Sequence, residues 1–438
     1  MTTWSTDSPN GIVRGGVAAL GGPAVFACLV LSTSGDVGIE RMGATDVTAA
    51  WFRLAASVAL AAVVAMALHS DDTLSAALRR HRVLLLAMLA VIGARVASVA
   101  AAAQPTVALG AVAGHGLALV VLVALTVLAE RDAGCRHVLA LGAALMVAGH
   151  VLLLTGALAM AAGGTELGWP FRVATHQHTA GLARFYAFGN PFYCALRMLA
   201  CIGLLGALPS RRWRAGLRWG GAVVIVSTLS FVTLLLPLLG SLPGRRLSRV
   251  ASAACLCGAL MLLYVHPLEL HVGGRSHRVG TLHPMYARDG LGPRHMPLHQ
   301  AGDARLGLRF HWTAYAYLLG GASTCFAEHP LLGVGADNFE ASCPVLTMNT
   351  YGGWVHTRPH NEYLGQLSEG GLLGALTLGL LSLALLRRCR LVSTVDPIAR
   401  RALITSLLCG LASPVFFELS FVALLGGLLV HRERGQAP

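Results

Sequence analysis

Repeated apolar runs of about twenty residues constrain this sequence more than any other feature. A bilayer core about 30 Å thick requires a helix of that length, because each residue advances a helix by about 1.5 Å. Hydrophobic residues make up 55% of the 438 residues and charged residues 12%, against roughly 25% charged residues in soluble domains. So little polar surface cannot enclose so much apolar volume in water. The composition therefore predicts an all-α polytopic membrane protein, and it excludes a cytosolic enzyme, a disordered chain and a disulfide-rich secreted module.

The apolar runs predict about twelve transmembrane helices, and the arginines predict their orientation. All 33 basic residues are arginine, and basic residues concentrate in cytoplasmic loops. Two stretches, 219–242 and 402–430, are too long for one span and short for two. If each stretch is divided into two short helices, the arginines of 387–401 and both termini are cytoplasmic. A re-entrant pair of helices in either stretch is the alternative. The predicted spans are 12–34, 46–68, 82–103, 106–129, 137–162, 189–207, 219–230, 231–242, 250–266, 364–386, 402–412 and 413–430.

This topology divides the chain into three parts. Residues 1–266 form an N-terminal transmembrane bundle, 267–363 form a large loop on the outer, periplasmic side, and 364–438 form the C-terminal transmembrane helices and cytoplasmic tail. A loop of that length is usually functional or a small domain. Its pattern predicts one helix from Arg305 to Leu319 and a second from Thr357, which continues into the membrane.

The junction of this loop with the membrane carries a dense set of reactive groups, in the run from Arg358 to Leu364. We expect Pro359 and His360 in the first turn of the second helix, where a proline is tolerated. The positive end of the helix dipole disfavours the imidazolium form, and a neutral imidazole is what a general base needs. Arg358 at the same helix end suits a phosphate. The alternative is an interfacial histidine that only caps a helix.

Three further arginines are candidates for binding substrate. The guanidinium of Arg309 could hold a diphosphate through two parallel hydrogen bonds, and Trp312 beside it could stack on a sugar. An amphipathic helix lying on the membrane gives the same pattern. Arg184 lies on the same outer side, before the span at 189–207. Arg95 lies deep inside a predicted span, where charge is costly and usually functional, and Glu418 is a possible partner.

The sequence shows no pattern typical of a metal, cofactor or nucleic-acid site. His295 and His299 are four residues apart, but Pro297 between them argues against a helical metal site. Phosphate-loop and dinucleotide fingerprints are absent. The net charge of +13 comes from arginines scattered between apolar runs, so we expect no nucleic-acid partner.

Two of the ten cysteines, Cys325 and Cys343, fall in the outer loop. An oxidising compartment favours a disulfide between them. Two buried thiols are the alternative, and the sequence does not separate the two.

At these residues the chain resembles the O-antigen ligase and O-antigen polymerase superfamily, membrane glycosyltransferases that act on undecaprenyl-diphosphate-linked glycans. The main match is the run 360–364, His-Asn-Glu-Tyr-Leu, followed by 369–374, Glu-Gly-Gly-Leu-Leu-Gly, which is similar to the HNxxL block of the family. Arg309-x-x-Trp312 with 329–335 and Asn338-Phe339 is a second match, and Arg184 with 188–191 is a third. The resemblance covers about 184–390.

Two positions depart from the family pattern. Phe192 stands where many members carry asparagine, and Phe231 follows Ser230 where many have a serine–arginine pair. A phosphate-binding arginine would therefore come from elsewhere, and Arg95 and Arg197 are the candidates.

The resemblance implies glycosyl transfer at the outer face of the bacterial inner membrane, without metal or other cofactor. Arg184 and Arg309 would grip the donor diphosphate, and His360 would take the proton of the acceptor hydroxyl. Arg358, Asn361, Trp312 and Arg95 would bind substrate. The expected partners are the lipid-linked glycan donor, an acceptor glycolipid or glycan, and membrane lipid.

The sequence leaves the acceptor open. An O-antigen ligase uses lipid A-core, a polymerase uses another lipid-linked repeat, and a protein oligosaccharyltransferase uses a serine. The loop has no evident protein-binding extension, which slightly favours the ligase. A transporter or lipid flippase with twelve spans is the competing class, but the two halves of the sequence show no matching pattern.

Overall fold

Helices dominate the part of the chain that a computed structural model describes. The described residues are 73–131, 133–163, 171–175, 183–187, 191–240, 250–251, 253–254, 256–258, 260, 265–272, 275–278, 297–299, 306–312, 314–343, 359–391 and 397–412. The helices are α1 Thr73–Ser98, α2 Pro105–Arg131, α3 Ala133–Ala162, α4 Pro191–Leu204, α5 Arg211–Ser227, α6 Phe231–Leu235, α7 Pro237–Gly240, α8 Ala314–Glu328, α9 Phe339–Ser342, α10 Glu362–Leu391 and α11 Pro397–Cys409. The strands are β1 Phe171–Thr175, β2 Ala183–Ala187, β3 Val265–Val272, β4 Arg275–Arg278, β5 Pro297–His299 and β6 Leu306–Trp312.

Three of the described helical segments are long and apolar enough to cross a membrane. They are His81–Ala101, Leu139–Met160 and Glu362–Arg387. These segments match the predicted spans 82–103, 137–162 and 364–386 to within a few residues. The predicted spans 12–34, 46–68 and 413–430 lie outside the described residues, so the count of twelve stays a prediction.

The pattern of buried and exposed residues along the helices is also typical of a membrane protein. Every residue of α4 from Cys194 to Leu204 is buried, as in a helix at the centre of a bundle. In α1, Met88 and Val91 are buried, while Leu86 on the opposite side is 62% exposed. Leu152 in α3 is 72% exposed. Large apolar side chains on the outer face are typical of helices that meet lipid.

Helix α5 differs from the predicted pair of short helices at 219–230 and 231–242. It is one helix that starts eight residues earlier, at Arg211, because the Ser210 side chain accepts a hydrogen bond from the Trp213 N–H (3.4 Å) and caps it. The chain then turns at Leu229, which has a positive φ of 44°, into the one-turn helices α6 and α7. The arginines of 211–218 are therefore helical and do not lie in a connecting loop.

Two antiparallel sheets accompany the helices, and the sequence did not predict them. Strands β1 and β2 form a hairpin, and a second sheet has the order β4-β3-β6-β5. The predicted helix from Arg305 to Leu319 is wrong in its first half, since β6 occupies Leu306–Trp312 and α8 begins only at Ala314. Apolar residues also recur at every second position of β6, which is the period of a strand.

A disulfide joins Cys325 in α8 to Cys343 after α9, which answers the question that the sequence left open. The two Cα atoms lie 5.4 Å apart, within the range that a disulfide requires. Both cysteines belong to a small apolar cluster with Leu318, Val334 and Phe339. The bridge therefore closes the segment between α8 and α9 onto its own core.

We predict that Cys325→Ser lowers the free energy of unfolding by about 3 kcal/mol, because an 18-residue loop is released in the unfolded chain. An SDS titration of the purified protein in mixed micelles measures this change. Cys257→Ser, at an exposed free cysteine, is the matched control and should have no effect. Reduction of the wild-type protein should reproduce the Cys325→Ser curve, and an unchanged curve would contradict the prediction.

Candidate functional site

Helix α10 begins at Glu362, five residues later than predicted. The Asn361 Oδ1 accepts a hydrogen bond from the Leu364 N–H (3.0 Å), and this cap sets the start of the helix. Pro359 and His360 therefore precede the helix and do not form its first turn. His360 has a φ of 45°, in the left-handed region that few residues other than glycine occupy and that Asn, Asp and His enter more often than the rest. Strained backbone of this kind is common at functional sites.

The start of α10 is fastened to the end of α11. The Glu362 N–H donates to the Gly410 carbonyl (2.7 Å), and the Asn361 Nδ2 donates to the Leu411 carbonyl (3.2 Å). The Tyr363 hydroxyl donates to the Leu407 carbonyl (2.8 Å). Carbonyls at the C-terminal end of a helix lack partners inside the helix, so these bonds satisfy groups that need donors. They also fix the position of the backbone that carries His360.

Helix α10 is broken at Gly371, where φ is 60° and ψ is −155°. In a continuous helix, the N–H groups of Leu372 and Leu373 would donate four residues back within α10. Here the Leu372 N–H donates to the Pro330 carbonyl (2.8 Å), and the Leu373 N–H donates to the Leu331 carbonyl (3.3 Å). The loop at 329–338 thus supplies acceptors that the helix has lost.

The same loop supplies the missing donors. The carbonyl of Ser368 accepts from the Val334 N–H (3.0 Å), and the carbonyl of Glu369 accepts from the Gly335 N–H (2.9 Å). These are the two carbonyls that Leu372 and Leu373 would have used. The loop is therefore inserted into the helix and satisfies all four backbone groups at the break.

Glycine is required on both sides of this contact. A Cβ atom on Gly371 would overlap the carbonyl group of Leu331, and a Cβ atom on Gly333 would overlap that of Glu369. Both glycines also have a positive φ, 60° and 66°. The runs 329–335 and 369–374, which the sequence analysis treated as separate motifs, are the two halves of one contact.

A buried ion pair ties α1 to the same part of α10. The Arg95 NH1 lies 3.1 Å from the Glu369 Oε2, and its Nε donates to the Gln366 Oε1 (3.2 Å). The Gln366 Nε2 in turn donates to the Glu362 Oε1 (3.2 Å). Arg95 is 6% exposed and Glu369 is 4% exposed. Glu418, the partner suggested from the sequence, lies outside the described residues.

Asn338 connects the 329–338 loop to the turn between α1 and α2. Its Oδ1 accepts from the Gln104 N–H (2.7 Å), and its Nδ2 donates to the Gln104 carbonyl (3.3 Å) and the Ala336 carbonyl (2.9 Å). Gly335 packs on Ala102 so closely that a side chain would not fit. The C-terminal end of α1, the N-terminal end of α2 and the break in α10 therefore meet around this loop.

The other predicted site residues lie on the two sheets. Arg184 is in β2, and the neighbouring Phe185 carbonyl accepts from the Ser227 hydroxyl (2.9 Å) at the C-terminal end of α5. Arg309 and Trp312 are in β6, where Glu269 of β3 lies opposite Arg309 in register. Arg358 lies outside the described residues. The structure thus places Arg95 against Gln366 and Glu369 of α10, further into the helix than Asn361 and His360, and the convergence of Arg184, Arg309 and His360 on one site stays a prediction.

The sequence analysis missed most of the polar residues that hold this site. Glu362, Gln366 and Glu369 recur at positions i, i+4 and i+7 of α10, so they form one polar stripe on an otherwise apolar span. A stripe of that kind within a membrane helix indicates an internal polar partner. This signal was present in the sequence and would have pointed to Arg95.

Comparison with known proteins adds no relative. The sequence matches no protein-family model and no curated protein. Among the described residues, no three His, Cys, Asp or Glu side chains stand close enough together to hold a metal ion. Functional inference therefore depends on the geometry and on the motifs themselves.

We predict that Gly371→Ala destabilises the protein by at least about 2 kcal/mol, because the new Cβ atom meets the inserted loop and the positive φ disfavours alanine. Gly379→Ala on the same helix is the matched control, since a Cβ atom there has no heavy atom within 4 Å. The control should be neutral or stabilising by about 0.5–1 kcal/mol. Equal free energies of unfolding for the two variants in SDS titration would disprove the inserted loop.

We also predict that Glu369→Ala destabilises the protein by about 3–5 kcal/mol, because it leaves the buried Arg95 charge without its carboxylate. The double variant Arg95→Met/Glu369→Leu removes both charges and should recover most of that loss. The same titration measures both. A double variant as unstable as Glu369→Ala would show that the ion pair is not the source of the effect.

Proposed function

We propose that the protein is a membrane glycosyltransferase that moves a glycan from an undecaprenyl-diphosphate carrier to an acceptor hydroxyl at the outer face of the bacterial inner membrane. One observation carries the proposal. The motifs at 329–335 and 360–374, which resemble those of the O-antigen ligase and polymerase superfamily, contact each other and fasten the backbone on which His360 sits. A histidine held in a strained conformation at a rigid helix start is well suited to a catalytic role.

In the proposed reaction, His360 is the general base. The acceptor oxygen attacks the anomeric carbon and loses its proton to the imidazole, while the bond from that carbon to the diphosphate breaks. The lipid diphosphate leaves with the bonding electrons, so no general acid is needed. Positioning and charge stabilisation supply the remaining rate enhancement.

The arginines divide into two roles. Arg184 and Arg309 are assigned to the donor diphosphate, with Arg358 and Trp312 beside it. Strand β6, which carries Arg309, is followed almost directly by α8, and α8 leads into the 329–338 loop. A continuous stretch of chain, closed by the disulfide, therefore connects Arg309 to the contact with α10.

Arg95 and Asn361 are assigned to positioning. The guanidinium of Arg95 is bonded to Glu369 and Gln366, so its charge is balanced inside the protein. The side chain of Asn361 caps α10 and reaches the Leu411 carbonyl. Both side chains act on the substrate through the backbone that they hold.

For the acceptor we propose lipid A-core, as in an O-antigen ligase. A polymerase that extends a lipid-linked repeat and a protein O-oligosaccharyltransferase are the alternatives within the same chemistry. We place both termini in the cytoplasm and the site on the periplasmic side, from the distribution of arginines.

A transporter or lipid flippase is the second candidate, and the break in α10 favours it, since transporters often use broken helices. In transporters the free backbone groups at such a break bind substrate or ions. In α10 those four groups bind the 329–338 loop. The break therefore serves internal packing, and we rank the transferase first.

We predict that His360→Asn lowers the rate of glycan transfer by about 10²- to 10⁴-fold, the usual contribution of a general base. Asparagine is the preferred replacement because it tolerates the positive φ and leaves the backbone unchanged. The assay uses purified protein in vesicles that contain a lipid-diphosphate-linked glycan as the donor. Lipid A-core or a second lipid-linked repeat is added as the acceptor, and no ion gradient is present. Arg309→Lys should fail as well, since an ammonium cannot reproduce the bidentate fork.

His137→Asn, at an exposed histidine of α3, is the matched control and should transfer at the wild-type rate. Transfer by His360→Asn at the rate of this control would remove the proposed base. Gradient-dependent movement of lipid-linked glycan without a new glycosidic bond would favour the transporter.

A further inference from the structure

A basic and aromatic surface lies where α4 ends and α5 begins. Arg211 and Arg212 are exposed in the first turn of α5. Trp213 is 72% exposed and Trp219 is 75% exposed. The start of α5 therefore combines two consecutive exposed arginines with two large exposed indole rings, which are costly to leave in bulk water.

Two further arginines hold this surface in place. The Arg214 NH1 donates to the Gly206 carbonyl (3.0 Å), and the Arg218 Nε donates to the Ile202 carbonyl (3.2 Å). These carbonyls belong to the C-terminal end of α4, where a positive charge is favoured by the helix dipole. The bonds fasten the start of α5 to α4, so the arginines and tryptophans have a fixed backbone.

No acidic residue in the surrounding sequence balances this charge. Between Glu166 and Glu269 the chain contains ten arginines and no aspartate or glutamate. Helices α3 and α4, against which α5 packs, contain no acidic residue either. The counter-charge must therefore come from more distant residues or from another molecule.

The rest of α5 indicates that the molecule supplying the counter-charge is a lipid. After Arg218 the helix becomes apolar, and Val223 and Val226 are exposed at the positions i+4 and i+7 from Trp219. This outward stripe is typical of a helix face against hydrocarbon, and tryptophans concentrate where hydrocarbon meets headgroups. Arg211 and Arg212 lie about two turns before Trp219, nearer the start of the helix, which is where a bilayer with Trp219 at its interface would have its phosphates.

We propose that the surface formed by Arg211, Arg212, Trp213 and Trp219 binds the phosphate headgroup of an anionic phospholipid of the surrounding bilayer. Paired guanidinium groups suit a phosphodiester, and the indole rings suit the glycerol and upper acyl region beside it. The surface is separate from the proposed donor site. Ser227, at the far end of α5, lies about 24 Å from Arg211 and about 12 Å from Trp219 along the helix axis, and it contacts the strand that carries Arg184.

Fluorescence quenching tests this proposal. The full chain is reconstituted in phosphatidylcholine vesicles that contain phosphatidylglycerol, with bromine on the acyl chains of one lipid at a time. Brominated phosphatidylglycerol should quench the wild-type protein more than its share of the bilayer predicts. Trp213→Phe/Trp219→Phe should remove that excess, since it takes away the two indole rings of this surface.

Neutralising the arginines should weaken the preference. Each exchange to glutamine at Arg211 or Arg212 should lower the relative affinity for phosphatidylglycerol about fivefold, the usual contribution of one basic residue near an anionic surface. Arg211→Lys/Arg212→Lys keeps the charge and should retain most of the preference. Both positions are exposed, and an unchanged circular dichroism spectrum confirms that each variant is folded.

Arg82→Gln, at an exposed arginine of α1, is the matched control and should leave the preference unchanged. An equal loss in this control would show a general surface attraction and overturn the site. Competition by millimolar inorganic phosphate would overturn the assignment to lipid. None of these readouts requires glycan transfer, so their failure would not bear on the proposed function.

Discussion

The backbone hydrogen bonds that fill the break in α10 are the constraint on which the rest of the site depends. In apolar surroundings an unsatisfied N–H or C=O group costs several kcal/mol. At the break near Gly371, the 329–338 loop pairs with four such groups, the carbonyls of Ser368 and Glu369 and the N–H groups of Leu372 and Leu373. The loop fits only because residues 333 and 371 are both glycine. One contact therefore restricts the residue type at two positions that are far apart in the sequence. These hydrogen bonds fix the position of residues 360–370 relative to the 329–338 loop.

Glu369 joins this backbone contact to the ion pair. Its carbonyl accepts from Gly335, and its carboxylate pairs with Arg95, so one residue fixes both the loop and α1 against α10. A buried ion pair is often no more stable than an apolar pair of the same size. Its advantage is that it permits few alternative arrangements. We infer that the Arg95–Glu369 pair contributes more to the accurate placement of the His360 segment than to overall stability.

Sequence patterns predicted some of these features and not others. The spans at 82–103, 137–162 and 364–386 were predictable because twenty apolar residues in a row have few other folds. Strands β3 and β6 were not, since each strand is paired with a segment about 40 residues away, and the pattern of one strand does not identify its partner. The start of α10 was misplaced because a proline in the first turn is usually favourable, whereas Asn361 provides the cap. Cysteine spacing alone could not settle the disulfide, which depends on how 329–338 folds back.

The separation of Arg95 from its partner has a consequence for biosynthesis. Glu369 follows Arg95 by 274 residues, so α1 is made long before the carboxylate exists. At a translation speed of about 5–20 residues per second, that interval is on the order of tens of seconds. During it, a newly inserted α1 carries an arginine whose final counter-ion has not yet been synthesised. Until α10 is made, that charge must be met by water, lipid phosphate or the insertion machinery. Helix α1 therefore reaches its final packing against α10 only after most of the chain has been synthesised.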